Sequence, residues 1–441
     1  PSGEHSMRAC NCRLIYLYKY FREEVNLGEG KKSMSPLSGL RVLGVTVYLA
    51  GPFAMMNLAR LGAECVKVEM PGAGDPSRGN GPFASPDGYV ETQESEKHLS
   101  TRFLKRAQGL KSVTLNLKDP KGLEMFMELV KRSDVLVENL SPGAMKRLGL
   151  DYEEVTKVNP GIIYTSISGY GQSGPHSHRK AHDPQIQGMS GLMDINGSES
   201  EPPTRVGFYI GDLVTPLFAC YSVLAALREK DRTGHGQYLD VSMMDSLTSL
   251  MFMENLEEAI MYGEPLRQGN NSRGGPMGLY HTKDGDITLT VASDDQWNRL
   301  AKALEAPDLM VNPKFSTFIE RNRNVVEARA EVQRLLDRYT RSEAIELLEE
   351  NKVPCGLVRT VPEVIEDSHF WDRGTLQPMK SSAFSDAVPG IASGFPVHFS
   401  GGELPQSKGA PMLGEHNHEI YHDVLGISSE DLEEYERNGI I

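Results

Sequence analysis

Cysteine is scarce in this sequence, and long apolar runs are absent. The 441 residues contain five cysteines, at positions 10, 12, 65, 220 and 355. Their number is odd and their spacing is irregular, so we expect no disulfide framework. The Cys10-x-Cys12 pair has no second pair to complete a zinc site, and we predict no metal site. The apolar run from Pro216 to Leu227 is too short to cross a bilayer.

Positively charged residues are also fewer than negatively charged ones. The chain has 46 Lys and Arg against 60 Asp and Glu, a formal net charge of -14. Nucleic acids and anionic membranes bind basic surfaces, so we expect neither as a partner. The 39% hydrophobic and 24% charged residues are ordinary for a globular protein. A length of 441 residues exceeds what one core usually serves, which predicts two domains.

Several common catalytic motifs are missing. The sequence contains no G-x-x-x-x-G-K-[ST], H-E-x-x-H or G-x-S-x-G, which argues against a P-loop enzyme, a zinc protease and a serine hydrolase. Residues 1–34 mix charges and show no signal-peptide apolar region. We expect them to be a disordered extension or tag, with the regular pattern starting at residue 35.

What is present is an alternation of strand-like and helix-like segments. Short β-branched runs occur at 40–47, 64–70, 112–117, 134–139, 161–168 and 236–243, and helical patterns at 119–133 and 244–263. This alternation predicts an α/β fold with a Rossmann-like parallel sheet over residues 35–265. After a Gly-rich break at 269–278, the pattern predicts a smaller α+β domain over 275–375. Residues 376–441 are predicted to return to the large domain.

One glycine motif resembles a dinucleotide fingerprint. "GYGQSG" at 169–174 matches G-x-G-x-x-G and follows a strand. However, Pro175 comes next, and "HSHRKAHD" after it shows no apolar helical stripe. A dinucleotide site needs a helix packed on the sheet at this point, so we interpret the motif as a tight loop.

Asp212 is a carboxylate placed directly before a long apolar segment. In "YIGDLVTPLFACYSVLAALREK" it stands where a helix should begin. Asp at such a position is typical of an N-cap, which accepts hydrogen bonds from free helix amides. Helix-terminal amides would also stabilise a charged carboxylate, so a reactive role and a capping role are compatible.

Several blocks together resemble the class III coenzyme A-transferase family, whose best-known member is the formyl-CoA:oxalate enzyme. They are "LSGLRVL", "AGPFAMMNLARLGAECVKVEMPGAGDPSRG", "DVLVENLSPGAMKRLGL", "NPGIIYTSISGYGQSGP", "EKDRTGHGQYLDVSMMDSL" and "APMLGEHNHEIYHDVLGISSEDLEEYERNGII". They occur in order over residues 37–441. Leu49, Ala50 and Met70 depart from the formyl-CoA:oxalate pattern, which argues against that substrate pair.

The resemblance implies an activity and a nucleophile. The family's catalytic aspartate matches Asp212, which would form an acyl-aspartyl anhydride and then an enzyme-CoA thioester. Coenzyme A would be a substrate, and no tightly bound cofactor is expected. Gly274 and Gly275 match the family's glycine loop, which covers the active site; an ordinary linker is the alternative. By block matching, the residues expected to bind coenzyme A are Leu115, Lys118, Asn139, Leu140, Arg147, Lys180, His182 and Asp183, with Arg78 a weaker candidate.

Two alternatives stay open. The superfamily also contains α-methylacyl-CoA racemases, which use a His and an Asp as an acid/base pair. His182 precedes Asp212 by thirty residues, the interval found in those enzymes. The chain could also be one subunit of a hetero-oligomeric transferase. The resemblance favours a homodimer of interlocked chains acting on acyl-CoA and small carboxylic acids. We expect a cytoplasmic location, or the mitochondrial matrix for a eukaryotic source.

Overall fold

The computed structural model describes residues 35–85, 88–95, 97–263, 265–271, 274–384, 388–402, 404–406 and 408–441. The predicted extension at 1–34 lies outside these residues. The chain divides into two compact units. The larger contains residues up to Ile186, Phe208–Leu247 and Ile365–Ile441, and the smaller contains Gln187–Gly207 and Thr248–Val364. Residues 187–207 and 248–263, expected in the large domain, therefore group with the smaller unit.

The strands are short and follow the predicted runs closely. In chain order they are β1 (Arg41–Val45), β2 (Glu64–Glu69), β3 (Phe83–Ser85), β4 (Gly88–Val90), β5 (Leu99–Ser100), β6 (Lys111–Thr114), β7 (Val135–Glu138), β8 (Ile163–Ser168), β9 (Gln237–Ser242), β10 (Gly278–Thr282), β11 (Gly285–Leu289), β12 (Cys355–Leu357), β13 (Leu376–Pro378) and β14 (Ile391–Ser393).

The α-helices of the described residues alternate with these strands. They are α1 (Ala50–Arg60), α2 (Thr101–Arg106), α3 (Pro120–Lys131), α4 (Ala144–Arg147), α5 (Tyr152–Val158), α6 (Asp183–Met189), α7 (Leu192–Ile195), α8 (Ile210–Thr233), α9 (Met243–Met251), α10 (Leu256–Tyr262), α11 (Asp294–Ala303), α12 (Asp308–Val311), α13 (Phe318–Arg323), α14 (Val325–Leu336), α15 (Arg341–Glu350), α16 (Val361–Glu366), α17 (Ser368–Asp372) and α18 (Ser429–Arg437).

Six parallel strands form the sheet of the larger unit, which confirms the predicted α/β class. Their spatial order is β6-β2-β1-β7-β8-β9. Numbered along the chain, this is 3-2-1-4-5-6, the order of dinucleotide-binding folds. The direction of progression reverses between β1 and β7, where Val42 pairs with Val135. Ligands of such sheets bind outside the carboxyl ends of the strands at this reversal.

Both faces of the sheet are covered, which explains why central strands such as β1 and β7 are almost entirely apolar. Successive residues alternate between the faces: Val42 joins one buried cluster and Leu43 the other. The first cluster includes Met55 of α1 and Val223 of α8, and the second includes Phe126 of α3. The sheet is therefore a three-layer core, and polar side chains collect at its carboxyl edge.

Helix α8 is the longest helix of the described residues. By length and composition alone, its 24 residues could cross a membrane, although the sequence suggested a run too short to do so. Its buried side chains, among them Thr215, Ala219 and Val223, face α1, β8 and β9. The helix serves as a core layer of the larger unit. Pro216 lies inside it and cannot donate an N–H to the carbonyl of Asp212, four residues earlier.

The smaller unit has its own sheet and core. Strands β10, β11 and β12 form an antiparallel sheet. Arg321 is fully buried, donates to Asp294 at 2.6 Å and to the carbonyl of Phe315 at 2.8 Å, and lies over the ring of Trp297. Through these contacts, a buried and hydrogen-bonded arginine joins α11 to α13 inside the apolar core of the unit.

The segment after Ser168 forms a loop and not a helix. Residues 169–174 contain turns with positive φ at Gly171 and Gly174, and the next helix begins at Asp183. No helix is therefore placed to receive a pyrophosphate here, in agreement with the prediction of a tight loop.

Candidate active site

Asp212 lies in the first turn of α8 and is partly exposed. It is the third residue of this helix, after Ile210 and Gly211. The preceding aromatic residues Phe208 and Tyr209 are exposed by 53% and 42%. The carboxylate thus stands at the entrance of a buried helix, accessible to a ligand and yet largely withdrawn from water.

A second carboxylate holds the start of this helix. Asp183, at the start of α6, is 1% exposed. Its Oδ1 accepts hydrogen bonds from the backbone N–H of Gly211 at 2.6 Å and, more weakly, from that of Asp212 at 3.4 Å. These are donors that a helix N-terminus leaves free. Asp183 therefore performs the capping role that the sequence suggested for Asp212.

Gly211 allows this close approach. A Cβ at Gly211 would lie 3.0 Å from Oδ1 of Asp183 and 3.4 Å from Cε of Met243. The contact with the carboxylate is tighter than most Cβ contacts, so a side chain here would push the Asp183 carboxylate away by a few tenths of an ångström. Glycine thus gives the capping carboxylate its close approach to the helix.

The substitution Gly211→Ala tests this packing. We expect the displaced cap to lower stability by about 1 kcal/mol, the usual worth of an N-cap, and to lower activity. Gly207→Ala is the matched control, because Gly207 is exposed and a Cβ there meets no atom within 4 Å. Thermal melting and steady-state rates of both variants check the prediction. Equal melting temperatures for the two variants would contradict it.

Arg106 supplies positive charge to the site. It ends the short helix α2, whose N-terminus is capped by Ser100 and whose Phe103 and Leu104 are buried. The guanidinium donates to the carbonyl of Tyr48 at 3.4 Å and interacts electrostatically with Asp212. Within the described residues no carboxylate lies close enough to Arg106 for an ion pair, so its charge is not neutralised by direct contact.

These surroundings raise the pKa of Asp212 to about 6. Burial is the largest cause, the negative charge of Asp183 adds to it, and Arg106 acts in the opposite direction. The sequence led us to expect the helix amides to stabilise the charged form, and this was wrong. Two of those amides donate to Asp183 instead. Asp212 is still ionised at neutral pH, but it is more basic than an exposed aspartate.

The loop after β1 connects this site to the reversal point of the sheet. Tyr48 has a positive φ of 62°, which is rare for a side-chain-bearing residue. Its N–H donates to Asp75, and Asp75 pairs with the fully buried Lys67 at 2.9 Å. The side chain of Asn139, after β7, bonds both the N–H and the carbonyl of Val47. Strained backbone is thus held in place by polar contacts on both sides.

The residues expected to bind coenzyme A occupy different environments. Leu115 is 2% exposed and belongs to the core, so its side chain is not open to a ligand. Asn139 and Leu140 are partly buried at the carboxyl edge, where Glu138 accepts from the N–H of Leu140. The exposed members of the set are Lys118, Arg147, Lys180 and His182. Their contact with coenzyme A stays a prediction. Arg78 is engaged instead with Glu69 and the carbonyl of Pro411.

The glycines predicted as a lid belong to the smaller unit. Gly275 is buried, has a positive φ of 58°, and donates its N–H to Asn322 at 2.5 Å. A Cβ there would meet the carbonyl of Val291 at 2.8 Å. Gly274, beside it, is partly exposed. This end of the glycine segment is therefore anchored, and residues 272 and 273 lie outside the described part. Its role as a lid stays a prediction.

The described residues contain one group of candidate metal ligands. His418, His422 and Asp423 place their donor atoms within 4.8 Å of one another. The two imidazoles stack at 4.6 Å, and His422 contacts Asp423 at 2.8 Å. His418 and Asp423 are exposed. Nothing in the chemistry considered for Asp212 uses a metal at this position.

The sequence did not predict the position of Arg106 or the capping contact of Asp183, and the contact of Asp183 with coenzyme A stays a prediction. Arg106 ends "TRFLKR", a segment with the basic last turn of any helix. Asp183 was expected to contact coenzyme A. Only the packing of α2, α6 and α8 in the larger unit reveals that these side chains surround Asp212.

Known proteins resemble this chain over most of its length. Residues 37–417 match the family described as CoA-transferase family III. The succinyl-CoA:glutarate CoA-transferase of Mus musculus is 35% identical over 93% of this chain and 91% of its own. The acetyl-CoA:oxalate CoA-transferase of Acetobacter aceti is 34% identical over 87% and 94%. The crystal structure of a CAIB/BAIF family protein from Brucella suis superposes with a TM-score of 0.74, at 29% identity, over 89% of this chain and 100% of that one.

Proposed function

Because the chain belongs to CoA-transferase family III, and is thus a CoA-transferase, we propose that it moves coenzyme A between carboxylic acids through covalent intermediates on Asp212. The observation that carries this proposal is the environment of Asp212. Its carboxylate is largely withdrawn from water, interacts electrostatically with both Asp183 and Arg106, and has a pKa raised to about 6. It is therefore both ionised and unusually basic at neutral pH, as a carboxylate nucleophile should be.

The proposed reaction conserves charge at every step. A carboxylate oxygen of Asp212 attacks the thioester carbonyl, the C–S bond breaks, and coenzyme A leaves as a thiolate. The thiolate attacks Cγ of Asp212, which releases the donor acid as a carboxylate and leaves an aspartyl-CoA thioester. The acceptor carboxylate attacks that Cγ, the Cγ–S bond breaks, and the thiolate leaves an aspartyl-acceptor anhydride. The thiolate then attacks the acceptor carbonyl and displaces the carboxylate of Asp212, which gives the new acyl-CoA. Asp212 is regenerated, and no proton is taken up or released.

Arg106 supports a more specific substrate class. A guanidinium binds carboxylates through charge-assisted hydrogen bonds, and Arg106 has no ion-pair partner among the described residues. We propose that it holds the second carboxylate of a short dicarboxylic acid or of its CoA thioester. The mouse relative is named for two such acids, succinate and glutarate, which agrees with this assignment.

Covalent trapping tests the role of Asp212. Incubation with succinyl-CoA should load coenzyme A onto the enzyme, and borohydride reduction or hydroxylamine treatment should then modify a single residue. Peptide mass analysis is expected to place that modification on Asp212. The Asp212→Asn variant serves as the control and should remain unmodified. Turnover without any modification of Asp212 would exclude the covalent mechanism.

The racemase alternative depends on His182. This exposed residue precedes Asp183, whose carboxylate accepts hydrogen bonds from the backbone of Gly211 and Asp212. A racemase would exchange the α-proton of a 2-methylacyl-CoA with deuterated water in the absence of an acceptor acid. We expect no such exchange. The interlocked homodimer, the alternative of a hetero-oligomer and the cellular location stay predictions.

A further inference from the structure

We propose that Asp183 is a positioning residue for Asp212: its buried carboxylate fixes the first turn of α8 by hydrogen bonds and opposes the negative charge of Asp212. The inference deepens the proposed function and rests on Asp212 being the residue that is acylated. It assigns to Asp183 a role in setting the reactivity of its neighbour, in place of direct contact with coenzyme A.

The geometry supports both parts of this role. Oδ1 of Asp183 lies 2.6 Å from the backbone nitrogen of Gly211 and 3.4 Å from that of Asp212, so it bonds the turn that carries the nucleophile. The side chain is 1% exposed, which means that little water screens its charge. A glycine at position 211 permits the approach, since a Cβ there would crowd the carboxylate.

The charges around Asp212 are few. Asp183, from α6, is the negative group, and Arg106, from the end of α2, is the positive one. Arg106 in turn faces Arg102, Asp75 and the phenol of Tyr209. His182 is the titratable residue next to Asp183 in the chain. Because Asp183 accepts from the N–H groups of Gly211 and Asp212, these do not stabilise the carboxylate of Asp212.

This arrangement acts unequally on the states of the proposed cycle. In the resting enzyme Asp212 carries a negative charge, and repulsion from Asp183 raises its free energy. In the anhydride and in the aspartyl-CoA thioester, the same residue is neutral, and this repulsion vanishes. Asp183 therefore favours the acylated enzyme over the resting carboxylate. It also makes the carboxylate more basic, and thus a stronger nucleophile.

The substitution Asp183→Asn separates the charge from the cap. Asparagine keeps the size and an acceptor oxygen for the two amides, but carries no charge. With ¹³C-labelled aspartate, the Asp212 resonance can be identified by its absence in Asp212→Asn. We expect it to titrate near pH 6 in the wild type and at a pH lower by roughly one unit or more in Asp183→Asn. The acid limb of the rate profile should move in the same direction.

Asp119→Asn is a closely matched control. Asp119 caps α3 in the same way, accepting from the N–H groups of Lys121 and Gly122 at 2.8 and 3.3 Å. Its substitution removes a capping charge elsewhere and should leave the titration of Asp212 unchanged. Asp183→Ser, a second uncharged cap, replaces Asp183→Asn if the latter fails to fold.

The proposal is overturned if Asp212 titrates at the wild-type pH in the uncharged variants, or if Asp119→Asn shifts it equally. The amount of trapped enzyme-CoA thioester at equilibrium should also fall, by roughly tenfold for a shift of one pH unit. If Asp212 titrates at the same pH in all variants and still forms the CoA thioester, only this inference is contradicted and the proposed function stands. A shifted titration with no thioester in the wild type would instead overturn the proposed function and leave the charge effect standing.

Discussion

Replacing Asp212 with Asn is expected to lower the rate of CoA transfer by at least about 10³-fold, because the nucleophile is lost. The same substitution should raise the melting temperature. Asp212 is ionised at neutral pH although burial and Asp183 oppose its charge. With its pKa raised to about 6, the ionised group destabilises the fold by about 1–2 kcal/mol after allowance for its partial exposure. A neutral amide removes this cost, so a gain of a few degrees should accompany the loss of activity.

The pH dependence of this gain follows from its cause. A carboxyl whose folded-state pKa is raised destabilises the fold wherever the unfolded chain would lose the proton more readily. The cost is therefore full above about pH 6 and declines as the pH falls from there towards about pH 4. Below the pKa of the unfolded chain, Asp212 is protonated in both states and the cost disappears. The difference in melting temperature between wild type and variant should therefore be largest near about pH 8 and small near about pH 4.

Asp231→Asn is the control for both measurements. Asp231 is exposed near the C-terminal end of the same helix, α8. Its substitution should change neither the transfer rate nor the pH dependence of melting, apart from about 0.5 kcal/mol through the helix dipole. If Asp212→Asn retains more than a tenth of wild-type activity, another residue carries the covalent step. If it melts at a lower temperature than the wild type, the charge at position 212 does not strain the fold.

Replacing Arg106 with Gln is expected to weaken the use of dicarboxylic substrates selectively. A charge-assisted hydrogen bond contributes roughly 1.5–3 kcal/mol, so kcat/KM for a dicarboxylate should fall roughly 10- to 100-fold. Monocarboxylates have no second carboxylate to lose and should be affected much less. Rates measured with acceptor acids of matched length, with and without the second carboxylate, give this ratio directly.

The same variant should move the acid limb of the rate profile upward. Arg106 is the group that lowers the pKa of Asp212, so its removal leaves burial and Asp183 unopposed. Asp183→Asn should move the limb downward, and the two shifts therefore have opposite signs. Lys105→Gln is the matched control, since Lys105 is exposed on the same short helix. An equal loss for mono- and dicarboxylates, or a limb that moves downward, would contradict the assignment of Arg106.

Much of the larger unit could be predicted from local patterns. All six strands of its sheet lie within or next to the β-branched runs, since strands buried on both faces are rich in β-branched and other apolar residues. Their spatial order could not be predicted, because every parallel order of the same strands satisfies that pattern.

The site was predictable only in part. Asp212 could be proposed as the nucleophile because the family blocks around it are contiguous in the sequence. The charge that Arg106 adds and the cap that Asp183 provides depend on segments distant in the chain meeting in the fold. Asp183 lies 29 residues before Asp212, and no local pattern states that its carboxylate turns toward the start of α8. The pKa of Asp212 consequently had the wrong direction in the sequence-based expectation.

Pro216 weakens the hydrogen bonding between the first turn of α8 and the turn that follows it. Because this residue has no N–H, the carbonyl of Asp212 lacks the bond that would tie its turn to the next. If Asp212 carries the acyl or coenzyme A group of the proposed cycle, we expect the turn to tilt while the rest of the helix keeps its place in the core. Hydrogen–deuterium exchange should then be confined to the amides before Pro216, with slow exchange preserved from Ala219 onward. The hydrogen bond that Pro216 removes thus lets the first turn of α8 move independently of the buried remainder of the helix.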